Sequence, residues 1–203
     1  MPSAALTHWR SDRLPRLNEV ETHCATVAAF APPNPAFLDE MLRGLVLHLS
    51  AHFQGFCRDL YTECSQKCIA AMPAGLQPAA QAQFSARLAL EEGNPSHDNI
   101  KKDFSRFGFL LDLHLTNAQQ VTNLGHLNAW RNKAAHQGTK PLAGSVPAVL
   151  SLPVLQNWIS SCDGLAASLD GKMHIELFKM IGVAPWLTRE RNNGHSKLEL
   201  GRV

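Results

Sequence analysis

FLDEMLRGLVLHLSAHFQGFCRDLY, residues 37–61, places Phe37, Leu38, Met41, Leu42, Leu45, Leu49, Phe53, Phe56, Leu60 and Tyr61 at steps of three and four. On an α-helix those steps return to one face, so the stretch reads as the core-facing side of a long amphipathic helix. Asn34 before Pro35 makes a good N-cap and first-turn pair, with Asp39 and Glu40 early in the helix that follows, and the helix is predicted from about Pro35 to Met72. It is the expected spine of a bundle.

Working outward, a shorter amphipathic helix is predicted from Leu14 to Phe30, stopped by Pro32, Pro33 and Pro35. After the Pro73, Gly75 and Pro78 loop, Ala79 to Glu91 is Ala-rich with Phe84, Leu88 and Leu90 at helical spacing, and it ends at Gly93-Asn94-Pro95. A short helix from Ser96 to Phe107 is broken by Gly108. The next begins at Thr116 or Asn117, carries Val121, Leu124, Leu127, Trp130 and Ala134 on one side, and runs to His136, with Gly138 as its stop. A Pro/Gly loop over 139–150 precedes a last helix opened by Ser151 and Pro153, which passes through Trp158, Leu165, Leu169, Ile175 and Phe178 to about Ile181 and is bent at Gly164 or Gly171. No segment alternates with period two, so the fold class is all-α: an up-and-down bundle of four to six helices with a long second helix. Residues 1–181 form one domain, and 182–203, with Pro185, Trp186, Arg189 and Arg191, form a less regular tail with little core of its own.

Composition narrows the function classes. A 45% apolar, 18% charged chain is globular rather than disordered, and a net charge of +2 neither marks nor excludes an RNA ligand. The most apolar run, Leu42 to Phe56, is interrupted by Arg43, His48, His52 and Gln54, so no membrane span is expected. Five cysteines with no C-x-x-C pair, and no apolar leader, predict free thiols in a cytoplasmic setting. No phosphate-binding glycine loop, G-x-S-x-G elbow or nucleophilic-Cys signature is present.

Two Arg-x4-His matches occur. Arg43 to His48 lies inside the apolar spine with only nonpolar residues between its ends, and it reads as a decoy. Arg131-Asn132-Lys133-Ala134-Ala135-His136 stands at a helix end, with a polar amide after the Arg and small residues before the His. Arg131 can clamp a phosphate bidentately, His136 can move a proton to or from a ribose or leaving oxygen, and Asn132 can orient either partner. Five residues apart, the Arg and His point about 140° away from each other around a helix and sit about 7.5 Å apart along it. One copy is therefore a poor active site, and two copies across a two-fold axis make a better one.

Arg-Asn-x-x-Ala-His at a helix end, after a long helix with the turn Ala51-His52-Phe53-Gln54-Gly55-Phe56 and before a loop and a last long helix, resembles HEPN-domain proteins, nearest the RiboL-PSP-HEPN branch, over roughly residues 35–181. The resemblance implies a metal-independent endoribonuclease that acts as a homodimer with its active site at the dimer interface, with Arg131 and His136 catalytic and Asn132 supporting them. It implies no cofactor and no metal, an RNA substrate, and a toxin or antiviral role with an antitoxin partner. Gln54 stands where some relatives carry an acid, a departure from the pattern. A non-catalytic HEPN-like RNA-binding or assembly module is the alternative.

Plainer readings stand beside these. His136 alone would cap helix carbonyls, and Arg131 alone would form a surface ion pair. The His48/His52 and Cys64/Cys68 pairs share helix faces but are read as packed residues rather than zinc ligands, and Glu91, Glu92 and Asp98 as solvated caps. Trp130 and Trp158 are assigned to the core or an interface; Arg10, Arg13, Arg16, Arg189, Arg191 and Arg202 are end-segment charges available for phosphate contacts or solvation.

Overall fold

The computed structural model describes residues 1–30, 34–136, 142 and 144–186, and every regular element among them is helical. The prolines at 32 and 33, the stop at Gly138, and Arg189, Arg191 and Arg202 lie outside the described residues.

The chain begins with α1 (Ala4–His8), which continues through a wider π turn at Trp9–Arg13 directly into α2 (Leu14–Ala29). Helix therefore starts well before Leu14, because the early turns have partners that periodicity does not reveal. Trp9 is fully buried, its ring 6.0 Å from Phe53 and 5.8 Å from Phe56. The first N–H groups of α1, which no helix can satisfy internally, are taken by side chains. Ser3 Oγ accepts from Leu6 N, and the Glu63 carboxylate accepts from Ala4 N at 3.1 Å and Ala5 N at 3.0 Å.

Helix α3 (Pro35–Ala70) is the predicted spine, capped as expected by the Asn34 side chain accepting from Phe37 N. Leu42, Leu45, Leu49, Phe53, Phe56, Leu60 and Tyr61 are buried along one face; Phe37 is 54% exposed and leaves the stripe. The predicted helix over 79–91 is two: α4 (Gln77–Ser85) and α5 (Ala89–Glu92), separated by extended backbone at Ala86 and Leu88. Tertiary groups impose that break. Arg106 donates to the carbonyls of Gln83, Ala86 and Arg87, and the buried Asp103 carboxylate caps α5 by accepting from Ala89 N at 2.9 Å and Leu90 N at 2.8 Å. Helix α6 (His97–Phe104) is capped by Ser96 and ends in a 3₁₀ turn at Ser105–Phe107, after which Gly108 takes a left-handed φ of 81°.

Helix α7 (His114–His136) begins just before the expected site, and Asn117 forms a kink three residues into it. Helix α8 (Leu152–Ile181) runs unbroken and stops at Gly182, whose φ of 75° suits only glycine well. At Gly164 a Cβ would strike the Gln120 side chain, so the glycine leaves room for that α7 residue. Ile175 and Phe178 lie on the exposed side of α8.

Side-chain pairs fix the directions. Along α7 and α8, Asn117 meets Ser168 and Asn123 meets Ser161, so these helices run antiparallel. Ser3 meets Asp170 while Glu21 meets Gln156, which sets α1–α2 antiparallel to α8. Ala4 at Glu63 and Arg13 at His52 set α1 antiparallel to α3. The result is an up-and-down bundle of α1–α2, α3, α7 and α8, with α4, α5 and α6 packed on α3 and α7. Trp186 is an exception to the predicted coreless tail: it is buried, its ring 6.4 Å from that of His174.

Candidate functional site

The end of α7 is held firmly before it presents anything. Trp130 and Trp158 are both buried, and Trp130 Nε1 donates to the Pro147 carbonyl at 2.9 Å. Lys133 Nζ lies 4.8 Å and Arg43 Cζ 5.9 Å from the Trp130 ring centre, a pair of cation–π contacts. Arg43 also pairs with Asp39 at 2.7 Å, so the decoy arginine braces α7 against α3. With its ring and N–H both engaged internally, Trp130 belongs to the core.

On this anchor Arg131 is half-buried, while Asn132 and His136 are exposed. Successive residues on a helix normally diverge, yet Arg131 Nη1 reaches Asn132 Oδ1 at 3.4 Å. The same oxygen accepts from Asn94 Nδ2 at 2.7 Å. Asn94 belongs to the Gly93-Asn94-Pro95 loop, whose sequence signalled only a helix end. The loop is tied down by Gln54 Nε2, which donates to the carbonyls of Leu90 and Gly93, by Arg58 Nε on Leu90 O at 3.1 Å, and by Asn128 Nδ2 on Pro95 O at 3.4 Å. Gln54 thus acts as a double donor toward backbone, which an ionised carboxylate at that position could not be.

His136 closes α7, and among the described residues no hydrogen bond or ion pair fixes its ring. Three grooves among the described residues lie elsewhere. Two grooves of about 540 and 530 Å³ share His8, Glu63 and Lys67 beside α1, and a third of about 190 Å³ lies by Tyr61 and Phe84. Arg131, Asn132 and His136 line none of them.

Other candidates resolve into structure. Arg13 bonds Asp59 at 2.6 Å and the His52 carbonyl, Arg10 pairs with Asp163, and Arg16 pairs with Asp12, so the N-terminal arginines are engaged within the chain. His48 and His52 stack with ring centres 6.3 Å apart, and burial followed by the Arg13 charge holds His52 below the usual imidazole range. All five cysteines are buried and unbridged. Burial pushes Cys68 up to about 11 and Cys57, Cys64 and Cys162 upward as well, which leaves little thiolate for nucleophilic work. Among the described residues no group of three His, Cys, Asp or Glu converges as a metal site requires, and no helix is long and apolar enough to cross a membrane. Glu91, Glu92 and Asp98 are exposed.

The arrangement offers a guanidinium, a carboxamide and an imidazole on one rigid, solvent-facing helix end. No protein family, curated protein or solved structure matches this chain.

Proposed function

We propose that the chain is a metal-independent endoribonuclease of HEPN type. A ribose 2′-hydroxyl attacks the adjacent phosphorus, the 5′-oxygen departs, and the products carry a 2′,3′-cyclic phosphate and a 5′-hydroxyl. Arg131 holds the non-bridging oxygens and offsets the charge that builds on them in the transition state. His136 takes the 2′ proton or delivers one to the leaving oxygen. Two copies meeting at the ends of their α7 helices supply both imidazoles to one cleft, which answers the divergence of Arg and His on a single helix. RNA cleavage of this kind serves a toxin or antiviral effector, with a small antitoxin as its restraining partner.

The observation that carries the reading is the shared hydrogen-bond node of Arg131, Asn132 and Asn94 at the exposed end of α7, with His136 about one turn beyond. Whereas the N-terminal arginines are paired with carboxylates, Arg131 spends one weak bond on a neutral amide.

The test is incubation of purified protein with a mixed RNA pool in EDTA, beside His136→Ala, with the fragment ends mapped. Cleavage by the wild type, cyclic-phosphate ends, and loss of both in the variant are expected. RNA left intact by a dimeric wild-type protein across several substrates would overturn the reading in favour of a non-cleaving binding or assembly module.

A further inference from the structure

We infer that Asn94 is a positioning residue that decides which way the Asn132 carboxamide faces and so makes Asn132 a donor to a phosphodiester oxygen; this rests on the ribonuclease reading. A carboxamide has an acceptor end and a donor end of nearly equal size, so its shape alone does not choose between them. Its neighbours choose here. Asn94 Nδ2 donates to Asn132 Oδ1 at 2.7 Å, and Arg131 Nη1 approaches the same oxygen at 3.4 Å. Turned over, the amide would set its own NH2 against a second NH2 and a guanidinium, three donors with no acceptor between them. The oxygen is therefore committed to the node, and the NH2 of this exposed residue is left for an outside acceptor. Guanidinium and amide then offer donors side by side, a match for the two non-bridging oxygens of a phosphodiester.

Asn94 can impose that choice because its backbone is fixed and because the Arg131 guanidinium, which can only donate, holds the Asn132 oxygen rather than its NH2 in the node. The Asn94 carbonyl accepts from Asn99 Nδ2 at 2.8 Å and Ser96 N at 2.7 Å, and the preceding Gly93 carbonyl accepts from Gln54 Nε2 at 2.8 Å. A Cβ at Gly93 would come within 2.7 Å of the same Asn99 amide, so a side chain there would push that amide aside. The relay runs from α3 through the 93–95 loop to α7 and ends at the side chains that face substrate.

The full-length chain is tested on a defined single-stranded RNA as wild type, Asn94→Ala, Asn132→Ala and the double variant. Asn94→Ala lowers kcat about tenfold, the scale of one lost hydrogen bond, with KM and melting temperature nearly unchanged. The double variant matches Asn132→Ala, because Asn94 acts only through Asn132. Wild-type kcat in Asn94→Ala, or losses that multiply in the double variant, would overturn the inference. A readout without turnover separates it from the ribonuclease reading: the ¹H–¹⁵N side-chain signal of Asn132 shifts when inorganic phosphate is added to the wild type and shifts less in Asn94→Ala. An Asn132 signal indifferent to phosphate in the wild type overturns the positioning role even where His136-dependent cleavage is observed.

Discussion

The N-terminal segment and the end of α7 are both rich in basic and polar residues, and they dispose of those residues in opposite ways. Around α1 the arginines and the carboxylates they meet are matched inside the chain: Glu63 caps Ala4 and Ala5, Asp170 receives Ser3 N, Asp163 receives both Trp9 Nε1 and Arg10, and Asp59 receives Arg13. At the end of α7 the anchor residues are satisfied, whereas Arg131, Asn132 and His136 face outward on a surface with no opposing carboxylate among their bonds. Charge matched within the chain stabilises the fold; donors left open are available to something outside it. Basic residues in a sequence look alike until their counter-charges are placed.

The largest effect that tests this contrast is Trp9→Ala. Trp9 fills the space against Phe53 and Phe56 and is fully buried, so truncation costs about 3–5 kcal/mol in urea unfolding. His136→Ala, made at an exposed helix end, changes stability by less than about 0.5 kcal/mol. Equal losses from the two variants would erase the distinction. Next in size is Arg131→Lys. A point charge replaces a planar fork, so under the proposed ribonuclease reading cleavage is expected to fall about a hundredfold with the melting temperature held, the loss of a transition-state donor. Unchanged cleavage would return Arg131 to the class of plain surface charges.

How far the sequence carried this contrast depended on range. The α3 spine, its Asn34 cap, the burial of Trp130 and the end of the last helix near Ile181 follow from local rules and stand in the structure as read. The Arg131, Asn132 and His136 motif was legible as a motif, but its link to Asn94 joins positions 38 residues apart and leaves no periodic trace. The same holds for helix starts capped by remote carboxylates. Ser3 and Trp9 belong to a helix because Asp170, Glu63, Phe53 and Phe56 wait for them, and α4 and α5 separate because Arg106 and Asp103 take the backbone groups between them. Phe37 erred the other way: apolar and correctly spaced for the stripe, it is left exposed, with nothing among the described residues to cover it.

Asp170→Ala measures the inward-facing side more finely. Asp170 is 6% exposed, and its removal strands the buried Ser3 N–H, a loss of about 2 kcal/mol in denaturant unfolding. Burial also raises its pKa, so ionised Asp170 stabilises the fold less than its hydrogen bond alone suggests. Asp170→Asn, which keeps an acceptor for Ser3 and discards the buried charge, is expected to retain most of the stability. A variant as destabilised as Asp170→Ala would show that the charge, rather than the hydrogen bond, anchors the N-terminus.

The smallest effect is in pH. Burial, then the charges of Arg13 and His48, lower the pKa of His52, and burial with the nearby His114 lowers that of His97, both from the ordinary 6.5. Folding thus favours the neutral rings, and between the lowered values and 6.5 the unfolded chain binds more protons than the folded one. Their contribution is complete above pH 6.5 and is lost as the pH falls through the lowered values, so acidification destabilises. Both rings are partly open to solvent, which keeps the change near 2 °C or less in melting temperature between about pH 7.5 and pH 5.5. Replacing His52 with Gln removes a titrating ring from the segment where the arginines are paired, and the melting curve against pH should flatten. An undiminished slope in both His52→Gln and His97→Gln would mean that the packing around these rings does not favour their neutral form, and the inward-facing arrangement would lose its electrostatic half.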